Sequence, residues 1–212
     1  LWLAQEIYDQ ATSQNPTCEL AYWRWALEVG QAWRERLGME RDARWQHVIE
    51  NLAPLPVVDG RYVGQESHPD TWSNPDSRQD HPSMLMALGF LPEGPMVDRA
   101  IMKNTLDAVM ASWNWDVKIW GWDYPMIAMT AARLGEPELA VDVLLMDAPH
   151  NRYAASGHVY QRPDLPLYLP ANGALLSAVA LMACGWDGAE RDAPGFPMEG
   201  WVVKYEGLEP LP

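Results

Sequence analysis

Residues 113–125 concentrate four tryptophans and two aspartates just before a helical pattern that starts near Met126. A pyranose sugar offers apolar C–H faces that stack on indole rings, and hydroxyls that bond to carboxylates. Gly121 and Pro125 indicate that the stretch is a rigid turn and not a helix interior. The alternative is that the tryptophans belong to the core and the aspartates cap a helix. For any single residue this alternative is favoured. The cluster as a whole favours a sugar site.

Asp123 is the first candidate for a catalytic carboxylate, because its aromatic, glycine and proline neighbours would hold it at a helix start. The alternative is that Asp123 is the N-cap of that helix. Glycoside cleavage needs an acid for the leaving oxygen and a base or nucleophile on the opposite face. Glu66 and Asp80 are the next candidates in the irregular segment 53–81, and Asp80 could equally cap the helix that follows Pro82.

Aromatic, histidine and amide side chains in the irregular segments are candidates for contacts with a sugar. Trp120 and Trp122 would stack on it, while the histidines would bond to hydroxyls or tune a carboxylate. His158 and Tyr160 alternate, so both would face a cleft if their segment is extended. The candidate substrate-binding residues are Trp115, Trp120, Trp122, Tyr124, His68, His81, His158, Tyr160, Tyr168 and Asn172.

Metals and cofactors are not expected. Cys18 and Cys184 are the only cysteines, and they do not have the spacing of a metal site. The alternative is a metal site formed by residues of ligating types that lie near one another in the sequence. These residues are His68, Asp70, Asp80 and His81. No glycine-rich loop that would cradle a phosphate is evident, which favours hydrolysis over phosphorolysis.

Composition excludes several classes of partner. The formal net charge of −14 makes nucleic acid and anionic membranes unlikely partners. No apolar run approaches the roughly 20 residues of a membrane-spanning helix. The 12 tryptophans against two phenylalanines favour recognition of polar ligands that have flat apolar faces. The chain begins within a helical pattern and without Met, so we expect it to be the C-terminal portion of a longer polypeptide.

Hydrophobic periodicity predicts an all-α fold of about eight helices paired as antiparallel hairpins. The predicted helices span residues 1–13, 18–37, 42–52, 82–88, 99–113, 126–134, 137–146 and 174–184. An Asp-Gly pair within 57–63 predicts a small β-hairpin. The last helix is almost wholly apolar and is expected to be buried. Hairpins joined by long irregular segments are typical of an α/α toroid with a functional site at one mouth.

The order of five short motifs resembles a known family. The motifs occupy residues 56–62, 81–85, 120–123, 131–135 and 168–173, and the likeness covers roughly residues 18–208. They resemble the C-terminal half of the (α/α)6 barrel of six-hairpin glycosidases, especially glycoside hydrolase families 65 and 95 and related uncharacterised bacterial proteins. This resemblance implies a partial (α/α)6 toroid over residues 1–190 and a proline-rich extended tail over 191–212.

The resemblance also implies a function. It indicates an inverting glycoside hydrolase that acts on an oligosaccharide or glycan, with the missing helices supplied by an N-terminal part of the same polypeptide. The segment matching residues 169–173 carries the catalytic base aspartate in family 95, whereas this chain has Asn172. In family 65 the general acid lies upstream, so the acid is expected outside this chain. The alternatives are a non-catalytic glycan-binding toroid, a lyase, phosphorylase or epimerase, and a purely structural bundle.

Overall fold

Helices dominate the structure, a computed structural model that describes residues 8–212. The described chain contains α1 (Thr17–Arg36), α2 (Ala43–Asn51), α3 (Arg99–Ser112), α4 (Asp123–Arg133), α5 (Pro137–Leu144) and α6 (Leu169–Cys184). Its other regular elements are the strands β1 (Val57–Val58) and β2 (Arg61–Tyr62) and two 3₁₀ turns, Pro75–Arg78 and Ser83–Ala87. The predicted all-α class is confirmed. No helix within residues 8–212 has the length and apolarity needed to cross a bilayer.

Local signals set most element ends where the sequence predicts them. The Asp98 side chain accepts the N–H groups of Ala100 and Ile101, which makes it the N-cap of α3. Gly135 has a φ of 82° directly after α4, and Pro137 opens α5. These groups act on atoms a few residues away, so their effect does not depend on the rest of the fold.

The β-hairpin is the predicted Asp-Gly turn between β1 and β2. Asp59 and Gly60 have φ values of 50° and 71°, and two consecutive positive φ values define the turn that suits a tight hairpin. The backbone N–H of Tyr62 donates to the hydroxyl of Thr105, 2.9 Å away. This bond anchors the hairpin to α3.

Two helix predictions are corrected. Residues 8–13 form turns, because the Asp9 carboxylate accepts the N–H of Ala11 and offers the backbone an alternative to a helix; the rest of that predicted helix, residues 1–7, lies outside the described residues. The predicted helix 82–88 is the 3₁₀ turn Ser83–Ala87. The Thr130 hydroxyl of α4 donates to the carbonyl oxygen of Leu85 and packs close to Gly89, where the turn ends.

The most buried helix is α4, whereas the last helix, which was predicted to be buried, is buried only in part. All 11 residues of α4 are buried, and the helix packs against α5 and α6. By contrast α6 begins at Leu169, earlier than predicted, and leaves Leu176 with an exposed fraction of 72%. The face of α6 that meets the core carries small residues such as Ala171 and Ala178. Apolar composition alone therefore did not identify the central helix.

The C-terminal tail folds back onto the end of α6. Leu211 donates its N–H to the carbonyl of Gly185, and Asp187 donates its N–H to the carbonyl of Leu211. Gly195 lies against Met182 so closely that no Cβ atom would fit. The stretch 201–205, within the tail that is expected to be extended, has an irregular backbone.

Candidate functional site

A buried histidine and aspartate meet where the turn before α4 reaches the 3₁₀ turn Ser83–Ala87. The Nδ1 atom of His81 lies 2.8 Å and 3.0 Å from the two carboxylate oxygens of Asp123. A carboxylate only accepts hydrogen bonds, so Nδ1 carries the proton. The ring is thereby held in one tautomer, with Nε2 directed to the opposite side.

Asp123 is the first residue of α4 and has no exposed surface. Its Oδ2 atom also accepts the backbone N–H of Trp120, 2.8 Å away. The carboxylate therefore ties the turn to the histidine and does not cap the N–H groups of its own helix, which was the alternative. An aspartate with an exposed fraction of 0% does not touch a substrate in this conformation, so its role here is to position His81.

Asp80 places a second carboxylate beside the same histidine. Its Oδ1 atom lies 3.6 Å from the Nε2 atom of His81, and its exposed fraction is 2%. The indole N–H of Trp113 donates to the Asp80 backbone carbonyl over 2.6 Å, which fixes this residue against the end of α3. One imidazole thus lies between two carboxylates from distant parts of the sequence, an arrangement that can hold and move a proton.

The loop before α6 braces the tryptophan turn through Gln161. Its side-chain oxygen accepts the N–H of Gly121 at 2.9 Å, and its amide nitrogen donates to the carbonyl of Ile119 at 3.2 Å. Gly121 is required here, since a Cβ would lie 2.9 Å from the carbonyl oxygen of His150 and from a methyl of Val159. These contacts hold the turn at Gly121 in place. Pro125, which was predicted to belong to the turn, lies in the first turn of α4, because this helix begins at Asp123 and not near Met126.

A cavity of about 340 Å³ opens beside this turn. This volume lies near the lower end of the range for small-ligand sites. The side chains that give it chemical character are Asp80, Lys118, Trp120, His150, Gln161 and Arg162. The lining therefore combines one buried carboxylate, two cations, an imidazole, an amide and an indole, which suits a polar ligand with several hydroxyl groups.

Both tryptophans that were expected to stack on a sugar already pack against other side chains. The guanidinium of Arg162 lies over the ring of Trp120, 5.1 Å from its centroid, and Tyr168 packs against the same indole at 5.2 Å. Trp122 stacks on Phe90 with ring centroids 5.5 Å apart. The face of Trp120 that Arg162 covers is therefore not open to a sugar ring.

Glu66 and His68 do not join the Asp80–His81–Asp123 cluster. The carboxylate of Glu66 accepts a hydrogen bond from the side chain of Asn15 over 2.6 Å. The ring of His68 stacks on Tyr8 with centroids 4.2 Å apart. Both residues therefore bind the N-terminal end of the described chain.

The extended segment before α6 alternates as predicted, but the opposite set of side chains points inward. Val159 and Gln161 are buried, whereas Tyr160 has an exposed fraction of 44%. His158 bonds to the hydroxyl of Ser156 and does not line the cavity. Alternate side chains of an extended segment point to opposite sides. Which set points inward depends on the side on which the core lies, and the sequence alone does not show that side.

Three further candidates have supporting roles in the packing. Asn172 accepts the N–H of Val159 and donates to the carbonyl of Gly157, so both ends of its amide hold the loop. Tyr124 is fully buried, and Trp115 packs against its ring. Burial raises the pKa of the Tyr124 hydroxyl, and the nearby carboxylates of Asp123 and Asp116 raise it further.

Metal ligands do not cluster in the described part of the chain. Within residues 8–212 no three His, Cys, Asp or Glu side chains are arranged so that they would hold an ion. The cavity residues that sequence reasoning missed are Lys118, His150, Gln161 and Arg162. In the sequence Gln161 is only an amide in an irregular segment. What distinguishes it from a surface glutamine is that its side chain points inward, and only the structure shows this direction.

Comparison of the chain with protein-family models, with curated proteins and with solved structures finds no match.

Proposed function

We propose that this chain forms part of the catalytic domain of a glycoside hydrolase, and that the cavity beside Trp120 receives a sugar. The observation that carries the proposal is the placement of His81 between the buried carboxylates of Asp80 and Asp123, at a cavity lined by an indole and by hydrogen-bonding side chains. A site that binds a sugar needs this combination of polar groups and an aromatic surface. A site that cleaves a sugar also needs a pair of proton-transfer groups.

In this proposal the three residues have different roles. Asp80 faces the cavity and acts as the base that takes a proton from the attacking water of an inverting reaction. His81 lies beside Asp80, with Nε2 3.6 Å from its Oδ1 atom, and is a positioning residue. Asp123 fixes the tautomer of His81 through Nδ1 and is a positioning residue.

The general acid would come from elsewhere in the same polypeptide. The proposal places the helices of this chain in an (α/α)6 toroid whose other helices lie in an N-terminal portion, as the motif resemblance implies. The pairing of α4 with α5 across the short connection at Gly135 supports a hairpin architecture of this kind.

A second candidate is a glycan-binding domain that does not cleave its ligand. The low exposure of Asp80, 2%, favours this candidate, because a base must reach a water molecule beside the substrate. Hydrogen bonds from Lys118 and His150 and the surface of Trp120 would still bind a sugar.

The test is the release of reducing sugar from a panel of oligosaccharides by the full-length protein and by its Asp80→Asn variant. Removal of the base is expected to lower kcat by about 10²–10⁴-fold. The matched control is Asp116→Asn, since Asp116 is an exposed aspartate of the same loop region. Activity of Asp80→Asn within twofold of wild type would remove Asp80 from the mechanism. Sugar binding by the wild type without any product would favour the binding domain.

A further inference from the structure

A second cavity, of about 710 Å³, lies at the opposite end of α4 from the candidate site. Its walls come from the start of α3, the end of α4 and the tail that follows α6. The 11 residues of α4 separate the two cavities by about 15 Å along the helix axis. This second cavity plays no part in the glycosidase proposal.

Arg133, in the last turn of α4, is the residue that gives the second cavity its character. Its exposed fraction is only 5%, and it lines the cavity. One terminal nitrogen donates to the backbone oxygen of Pro212 over 2.8 Å, and the guanidinium lies 5.5 Å from the ring centroid of Trp186. Its Nε atom is buried and has no hydrogen-bond partner within residues 8–212.

No side-chain carboxylate of residues 8–212 forms an ion pair with Arg133, whose hydrogen bond goes to the oxygen of Pro212. Among the ion pairs of residues 8–212, Glu93 pairs with Arg99, and Arg99 in turn donates to the backbone oxygen of Arg133. Burial lowers the pKa of Arg133 to about 10, and Glu93 offsets this effect only in part. The C-terminal dipole of α4 favours a cation at this position, but by less than a buried counter-ion would.

The acidic side chains around the cavity restrict which anion fits. Glu93, Asp187 and Glu190 line the same space as Arg133 and offer acceptors, and Arg99 and Arg191 line it as well. Three carboxylates and three guanidiniums give the lining no net formal charge, which favours an anion of low charge over a highly charged one. Hydroxyl groups donate to such acceptors, while a single carboxylate matches the planar edge of a guanidinium. The lining is therefore complementary to a molecule with one carboxylate and several hydroxyls.

We propose that this cavity is a second ligand site, which takes a monoanionic hydroxycarboxylate of the sugar-acid type with its carboxylate on Arg133. A carboxylate there would supply the counter-charge that the side chains of residues 8–212 do not provide and would accept the guanidinium N–H groups that face the cavity. The flat indole of Trp186 beside the guanidinium would border the ligand's apolar face. The site would remain even if the cavity near Trp120 had no enzymatic activity.

Calorimetric titration of the full-length protein with D-glucuronate tests this proposal, with D-glucose as the neutral analogue and inorganic phosphate as the multiply charged anion. We expect glucuronate to bind at least about tenfold more tightly than glucose, because a charge-assisted bond is lost with the neutral sugar. Phosphate should bind more weakly than glucuronate. Equal affinity for glucose and glucuronate, tighter binding of phosphate, or no heat with glucuronate would each overturn the proposal.

Substitution at Arg133 assigns the binding to this cavity and not to the candidate active site. Arg133→Met should abolish the preference for glucuronate over glucose, whereas Arg44→Met, at an arginine whose side chain is 90% exposed, should keep it. Arg133→Lys keeps the charge but loses the planar pair of donors, so it should weaken glucuronate binding and decides the matter if the Met variant does not fold. Undiminished binding by Arg133→Lys and Arg133→Met would contradict the assignment.

Discussion

Each end of α4 buries a charged side chain, but the two side chains differ in their hydrogen-bond partners. At the N-terminal end Asp123 has no exposed surface and bonds to both the His81 ring and the N–H of Trp120. At the C-terminal end Arg133 is nearly as buried but bonds only to a backbone oxygen among the described residues. A buried charge is costly unless its partners are supplied, so the first end is internally complete and the second is open to a ligand.

The helix dipole accounts for the signs of the two charges but not for their partners. A carboxylate is favoured at a helix N-terminus and a guanidinium at a C-terminus. The two ends of α4 also differ in how closely they are packed. A Cβ atom added to Gly121, two residues before α4, would meet atoms of three other residues, whereas one added to Gly135, after α4, would meet no atom of the described chain within 4 Å. The N-terminal end is therefore a rigid support for chemistry.

The largest effect is expected from Asp123→Ala. Removal of this carboxylate takes from the buried His81 ring the acceptor that lies closest to Nδ1, so the free energy of unfolding should fall by about 3–5 kcal/mol. Urea denaturation followed by circular dichroism measures the loss. Asp116→Ala, at an exposed aspartate of the neighbouring turn, should change the same quantity by no more than about 0.5 kcal/mol. A loss below about 1 kcal/mol for Asp123→Ala, which is the cost of an ordinary single substitution, would show that the N-terminal end is not the complete site described above.

A smaller loss is expected from Gly121→Ala, because the new methyl would lie 2.9 Å from the His150 carbonyl oxygen and 3.0 Å from the Cβ of Ala171. Overpacking of this kind typically costs about 1–3 kcal/mol. The matched control is Gly173→Ala in α6, where the added methyl meets no atom within 4 Å in the described chain and alanine favours the helix. Thermal unfolding of both variants should show a lower Tm for the first and an equal or higher Tm for the second. Equal Tm values would mean that the turn can move to accept a side chain.

The smallest effect is expected from Arg133→Met in the absence of ligand. The change loses one hydrogen bond to Pro212 but removes a buried charge that has no side-chain carboxylate partner in residues 8–212, so stability should stay within about 1 kcal/mol of wild type. Burial lowers the pKa of Arg133, so the charged form of this residue destabilises the folded state below a pH of about 10. As the pH rises through that value, the free energy of unfolding of the wild type should rise relative to that of the variant. Denaturation at about pH 7 and at about half a unit above that pKa provides the comparison, and a large loss at neutral pH would show that Arg133 is already satisfied.

Predictions that depend on neighbouring residues succeeded best. The cap at Asp98, the turn at Asp59-Gly60 and the break at Gly135 act through atoms within a few residues, and all three are confirmed. His81 and Asp123 were separate candidates 42 residues apart, and the structure brings them into contact. Glu66, which the sequence ranked with Asp80 after Asp123, accepts a hydrogen bond from Asn15 instead.

The amino-acid sequence by itself determined the helical class, most helix ends and the stretch around Trp120 where polar and aromatic groups gather, because propensities, caps and turns are local properties. Only the tertiary structure decided that α4 and not α6 is central, that Gln161 braces the turn, and that Arg133 is buried beside Pro212, 79 residues away. These outcomes follow from which surfaces pack together. Packing depends on the shapes of all the elements at once, and no short stretch of sequence contains that information.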